Sequence, residues 1–200
     1  MGGLGALPLF DIAMKILPDN PPRAGLQLVA GHALRAFGTD LPAVYVLGVR
    51  GYYRDSMGKV GANDRALYDD ALFIVGPESF GAFNANTDPS QFKYGIASLI
   101  PGVHWYRPGN HGISRPGGGY PAFRPATPDE ALPVMRDGKA GKSDGIAINI
   151  HKGGYSTTSS AGCQTIHPDQ WDRFHLLLTM ALKSAGVKKF PYILIDGPIN

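Results

Sequence analysis

Cysteine is nearly absent from this chain: Cys163 is the single one in 200 residues. No intramolecular disulfide can therefore staple the fold, and the thiol is left to packing or to chemistry. Charge is also sparse. Nineteen Lys and Arg stand against sixteen Asp and Glu, a formal balance of +3. No Lys/Arg run is long enough to bind nucleic acid, and the mild basicity reads as a solvated surface compatible with anionic polymers. No stretch is long and apolar enough to cross a bilayer. The segment Met1–Leu17 carries Leu4, Leu7, Leu9 and Phe10, yet it lacks a basic start and is broken by Pro8 and Asp11. It reads as a packed arm or short helix and not as a signal peptide.

Glycine and proline are plentiful instead, 27 and 17 residues, and they are spread along the chain. Such a chain turns often and favours short strands over long helices. Its length suits one compact domain, and no feature calls for an oligomer, so a monomer is expected. Residues 22 to 37 predict an amphipathic helix, with Leu26, Val29, Ala30, Ala33, Leu34 and Phe37 at three- and four-residue spacing and Gly38 as the stop. From Ala43 the texture becomes β-branched and aromatic. Val44–Val49 and Leu72–Val75 predict strands flanking a hairpin with a decorated loop over Tyr52–Asp70. Gly81–Gly119 reads as loop-dominated, and Val134–Arg136 and Gly145–His151 as further strands. Pro168–Ala185 predicts a helix ended by Gly186, and Phe190–Ile195 a last strand. The expected class is mainly β with flanking helices (α+β): a helical arm over 1–42 and a strand-rich domain over 43–200.

Cys163 lies in Ser159-Ser160-Ala161-Gly162-Cys163-Gln164-Thr165, among small polar residues and not in an apolar run. His151 ends the run Gly145–Ile150 twelve positions earlier. A thiol at a turn needs a nearby base to become a nucleophile, and a helix starting shortly after it is expected to lower its pKa. The small residues 160–162 permit a tight turn whose N–H groups around Gly162 and Cys163 can form an oxyanion hole, supported by Ser160, Gln164 and Thr165.

A strand ending in Ile-His-x-Gly, followed by Ser-x-Gly-Cys, resembles the L,D-transpeptidase (YkuD-type) catalytic domain; the matching residues are His151, Gly153, Ser160, Gly162 and Cys163. The sequence departs from that family at Ala161, where the family has a second histidine. It also carries Thr165 in place of the usual Arg or Asn, and has a shorter spacer before Ser160. It looks like a divergent branch of the type carried by bacteriophages, with the signature Ser-Ala-Gly-Cys-Gln-Thr. The resemblance implies a β-sandwich-like domain acting on peptidoglycan stem peptides without a cofactor, with Cys163 as nucleophile and His151 as general base. It also implies action on the cell wall after synthesis in a host cytoplasm.

In the loop-rich region, His104 and His111 are candidates to line the cleft or supply another base. Arg107, Arg115 and Arg124 are candidates to hold a stem-peptide carboxylate, and Tyr120 and Trp105 read as packing residues. Gly153, Gln164 and Thr165 complete the expected substrate contacts. His167 is expected to cap the second helix. A zinc site of His151, Cys163 and His167 is not expected, because its spacing matches no common ligand pattern. The rival to catalysis is a wall-binding or virion module that has kept the fold without turnover.

Overall fold

The computed structural model describes residues 15–114 and 116–199; of the expected N-terminal segment Met1–Leu17, only the last three residues fall among them. The first helix, α1 (Leu26–Phe37), begins later than its apolar spacing predicts, because Gly25 is still extended. It ends as predicted at Gly38, whose positive φ of 84° turns its N–H onto the Leu34 carbonyl. Of the expected stripe only Val29 and Ala33 are fully buried, and Leu26 and Leu34 face solvent.

Three strands follow: β1 (Tyr45–Arg50), β2 (Asp70–Gly76) and β3 (Ser79–Asn86). The first two pair antiparallel across the expected decorated loop. The stretch 81–119 is not the loop expected of it. It holds most of β3, then β4 (Ala97–Leu99) and β5 (Gly102–His111), and β6 (Tyr120–Pro125) follows at once. Its glycines suggest turns but some serve packing. A Cβ at Gly81 would strike the Leu177 and Phe83 side chains, and one at Gly109 the Arg124 side chain.

The run 145–151 is likewise not one strand. After β7 (Ala131–Arg136), it is divided between β8 (Lys142–Ile146) and β9 (Ile150–Lys152), which belong to different sheets. The break falls at Ala147, whose φ is +53°. The chain closes with β10 (Gln164–Ile166), α2 (Pro168–Ser184) and β11 (Phe190–Asp196). The second helix is capped as expected: the His167 side chain accepts the Asp169 N–H.

These strands form a closed barrel in the order β1-β11-β5-β6-β9-β10-β3-β2, beside a three-stranded sheet β4-β7-β8. The mainly β, α+β class is as expected. A sandwich is not what forms, because β1 pairs with both β2 and β11 and the sheet closes on itself. Alternation along β1 divides two cores. Val46 joins Leu72, Phe83, Tyr106, Phe123, Ile150, Ile166 and Tyr192 in a cluster drawing on every barrel strand, hence the interior, and α2 packs onto it. Tyr45, Leu47 and Val49 point outward and are covered by α1. Among the described residues no helix is long and apolar enough to cross a membrane.

The start of β2 carries a cost. Asp69 and Asp70 are both fully buried, and Asp88 is close by. Burial, then the Asp70 charge, pushes the Asp69 carboxyl well above its ordinary range. Burial, then Asp88, does the same to Asp70 against the opposing N–H groups of Gly51 and Thr87. Raised folded values mean the native state holds protons that the unfolded chain has released. This contribution is whole below the ordinary carboxylate pKa and disappears as pH rises through the folded values, by about 1.4 kcal/mol per pH unit for each proton retained. Thermal melts from about pH 5 upward should therefore show a falling midpoint. Asp69→Asn, which keeps an acceptor for the Asp64 N–H, should flatten the fall. An unchanged slope in that variant would exclude Asp69 as its source.

Candidate active site

The site is assembled by strand register. β9 and β10 run parallel with Ile150 opposite Gln164 and His151 opposite Thr165. This puts Cys163 level with Asn149, whose N–H lies 3.4 Å from Sγ, while the Gln164 N–H donates to the Asn149 carbonyl at 2.8 Å. On the other side, β5 and β6 bring His111 opposite Tyr120, and β6 meets β9 at Phe123 and Ile150. Three barrel segments thus deliver two histidines and the thiol to one place. One ligand atom from each of His111, His151 and Cys163 lies within 4.8 Å of the others.

The imidazoles of His111 and His151 stack at 4.1 Å with 26° between their planes. His151 Nδ1 is 2.7 Å from the Lys152 carbonyl oxygen, which can only accept, so Nδ1 carries the proton and the basic lone pair sits on Nε2. The Tyr120 hydroxyl approaches the same Nδ1 at 3.1 Å. Tyr120, expected to be a packing residue, is therefore part of the surroundings of His151. Asn149 also went unrecognised. Its Nδ2 lies 2.9 Å from His111 Nδ1. The period of two along a strand, which places residue 149 on the same face as 151, is the signal that could have found it.

The thiol is more deeply set than its polar neighbours suggest. Cys163 is 8% exposed, and burial pushes its pKa up to about 11, against a weaker opposing pull from the Asn149 N–H and Arg124. The expected lowering by the helix start fails for a local reason: β10 separates Cys163 from α2, and His167 occupies the helix's first free N–H. The resting group is a neutral thiol.

The turn itself is braced by Ser160. Its hydroxyl donates to the Cys163 carbonyl at 2.7 Å and accepts the Gly162 N–H at 3.0 Å, while the Ser160 N–H donates to the Ser90 hydroxyl at 2.7 Å. Gly162 N–H is thus taken and does not serve an oxyanion hole as expected. The Cys163 N–H has no acceptor among the described residues. Gln164 and Thr165 are both fully buried, Gln164 turning into the barrel and Thr165 taking the alternate face beside His151, so neither is open for the substrate contact expected of it. The Gln164 amide donates to the Gly162 carbonyl at 3.2 Å and accepts the Tyr192 hydroxyl at 3.0 Å. Gly153 has a packing reason: a Cβ there would meet the Tyr68 hydroxyl, and its N–H donates to the Ile166 carbonyl.

The arginines are already engaged. Arg107 Nη2 donates to Glu130 at 3.0 Å and Arg124 Nε to the same carboxylate at 2.7 Å. Arg115 lies outside the described residues. His104 is buried on β5 with Nε2 at 2.8 Å from the Ile100 carbonyl, apart from the two-histidine cluster. His167, a cap, is also not part of it. A groove of about 480 Å³ adjoins the turn, lined by Ser90, Lys93, Ile96, Thr157, Ser159 and Ala161 among others.

No family model, curated protein or solved structure matches the chain. The likeness to L,D-transpeptidases rests on the motif around His151 and Cys163 alone.

Two measurements check this geometry. Iodoacetamide should modify Cys163 more slowly than a free thiol near neutral pH and accelerate only toward strongly alkaline pH; a fast neutral reaction would contradict the buried thiol. At Gly162, φ is +124° and a Cβ would lie 2.5 Å from the Ala97 carbonyl oxygen. Gly162→Ala should therefore cost at least about 1–3 kcal/mol in denaturant unfolding, and Gly162→Val more, so neither leaves the turn intact. Wild-type stability in Gly162→Ala would refute the strain.

Proposed function

We propose that this protein is a cysteine acyl-transfer enzyme of L,D-transpeptidase type acting on peptidoglycan stem peptides. The observation that carries the reading is the convergence of Cys163 and His151, the two motif residues that chemistry requires, within 4.8 Å across the β9–β10 register. In the proposed reaction His151 Nε2 takes the thiol proton as Sγ attacks the carbonyl carbon of the third stem residue. Collapse of the tetrahedral intermediate breaks the C–N bond, and the proton passes to the departing D-amino acid amine. A second nucleophile, deprotonated by the same nitrogen, then resolves the thioester. Water gives hydrolysis, and an amine gives a cross-link.

Since burial keeps the resting thiol neutral, proton transfer accompanies attack and does not precede it. The Cys163 N–H is the turn donor best placed to serve the oxyanion. The groove beside Ala161 has the size of a small-ligand site, and Lys93 supplies a cation for a terminal carboxylate. The rival reading, a wall-binding module without turnover, draws on the same buried thiol and on Ala161.

Purified muropeptides followed by mass spectrometry separate the two. Wild-type protein should release a D-amino acid and carry a transient acyl mass on Cys163. Cys163→Ala should abolish both, and His151→Ala should lower turnover about 10²–10⁴-fold. Retained turnover in Cys163→Ala would overturn the assignment. Binding to insoluble wall with no product from wild-type would favour the module.

A further inference from the structure

We infer that His111, His151 and Cys163 form a binding site for a thiophilic divalent cation, Zn²⁺ by the donor set, and that its arrival silences the thiol. The silencing rests on the proposed role of Cys163; the binding does not. Two imidazole nitrogens and one sulfur lie within 4.8 Å of one another, from the end of β5, from β9 and from the turn before β10. All three are held by the barrel wall, so the donors are gathered before any ion arrives. Zn–S near about 2.3 Å and Zn–N near about 2.0 Å place tetrahedral ligand atoms roughly 3.3–3.6 Å apart. Closing from 4.8 Å takes roughly 1.2–1.5 Å, within reach of side-chain rotation. Soft sulfur with imidazole selects zinc over magnesium or calcium, and three protein ligands leave a fourth position for water.

A second observation comes from the surrounding shell. Metal-bound histidines almost always donate their other N–H to a carbonyl or carboxylate, and His151 already does so to Lys152 at 2.7 Å. For His111 the matching acceptor is present but turned. Asn149 is 1% exposed, its Nδ2 faces His111 Nδ1, and its Oδ1 is a buried oxygen with no hydrogen-bond partner among the described residues. A half-turn of that amide lets Oδ1 accept an Nδ1–H, satisfies the stranded oxygen, and moves the His111 lone pair to Nε2. Both imidazoles then have the tautomer and the acceptor of a metal ligand. On binding, the S–H bond breaks, a Zn–S bond forms, and the proton leaves to solvent with no change of oxidation state. The ion occupies the sulfur and the His151 nitrogen that acyl transfer needs.

Cobalt titration of the full chain tests the site without reference to activity. Wild-type protein should develop a thiolate-to-cobalt charge-transfer band that Zn²⁺ displaces. Cys163→Ser should lose the band, and His111→Gln and His151→Gln should each weaken binding by about tenfold or more, with Asn149→Ala weakening it about 10–100-fold. Zn²⁺ should protect Cys163 from a disulfide reagent and stop muropeptide turnover, and a chelator should restore both. No band in wild-type, or a band of unchanged affinity in both histidine variants, would overturn the site. A normal band with turnover indifferent to Zn²⁺ would overturn the silencing. Turnover that a chelator abolishes and Zn²⁺ restores would overturn both the silencing and the thioester reading while leaving the site. A normal band with no turnover under any condition would sink the thioester reading alone.

Discussion

Two tyrosine hydroxyls inside the barrel hold the candidate site where it is. Tyr106 and Tyr192 are fully buried in an otherwise apolar core, and a buried phenol must find an acceptor. Tyr106 donates to the Ile148 carbonyl at 2.7 Å, and Tyr192 donates to the Gln164 side chain at 3.0 Å. Those acceptors sit on the two segments that carry Asn149, His151 and Cys163. From Gln164 the chain of bonds continues to the Gly162 carbonyl and so to the turn. Space for the Tyr192 ring comes from Gly48 on β1, where a Cβ would overlap it. An unpaired Gln164 oxygen at this depth would cost about 1–3 kcal/mol, comparable to a large share of what a domain has to spare. The position of the thiol is therefore set by packing on the opposite wall of the barrel.

The same depth decides what the thiol can do. A preformed thiolate–imidazolium pair is poor here, because desolvation raises the Cys163 pKa to about 11 and leaves roughly one part in ten thousand ionised at neutral pH. A concerted transfer avoids that population. In the proposed reaction the imidazole must present the right tautomer and be fixed in place, and the Lys152 carbonyl provides this by holding the proton on His151 Nδ1. Ser160 contributes by shape. By bridging the Gly162 N–H and the Cys163 carbonyl it holds a turn that passes through a φ open to glycine alone.

How far the sequence foretells this depends on which physical signal each part uses. Both helices announce themselves by spacing and by Gly38, Pro168 and Gly186, since local capping chemistry determines their ends. β1, β2 and β11 are legible as β-branched runs. β3, β5 and β6 are not, because their glycines and prolines look like punctuation, whereas Gly81 clears Phe83 on its own strand and Leu177 on α2, and Gly109 clears Arg124 on the neighbouring β6. Barrel closure is a long-range pairing of β1 with β11, and no local pattern encodes it. At the site, His151 and Cys163 were visible as a pair. The stacking of His111 on His151 was not, since it depends on a β5–β6–β9 ladder between residues forty positions apart in sequence. Gln164 was misjudged because a polar residue beside a nucleophile suggests a ligand contact, whereas here it satisfies a buried tyrosine.

That stacking also limits the charge the site can hold. Two imidazoles at 4.1 Å cannot both be protonated at low cost, since like charges at that separation in a partly desolvated setting repel by several kcal/mol. The bonds made to the two rings also differ. The Lys152 carbonyl accepts from Nδ1 whichever form the ring adopts, and it does so more strongly from an imidazolium. The Tyr120 oxygen adds to the same effect. At His111, by contrast, the Asn149 amide nitrogen donates to Nδ1 at 2.9 Å. The turn carries Ala161 beside the thiol, and the second histidine that reaches the site comes instead from the end of β5, across the β5–β6–β9 ladder.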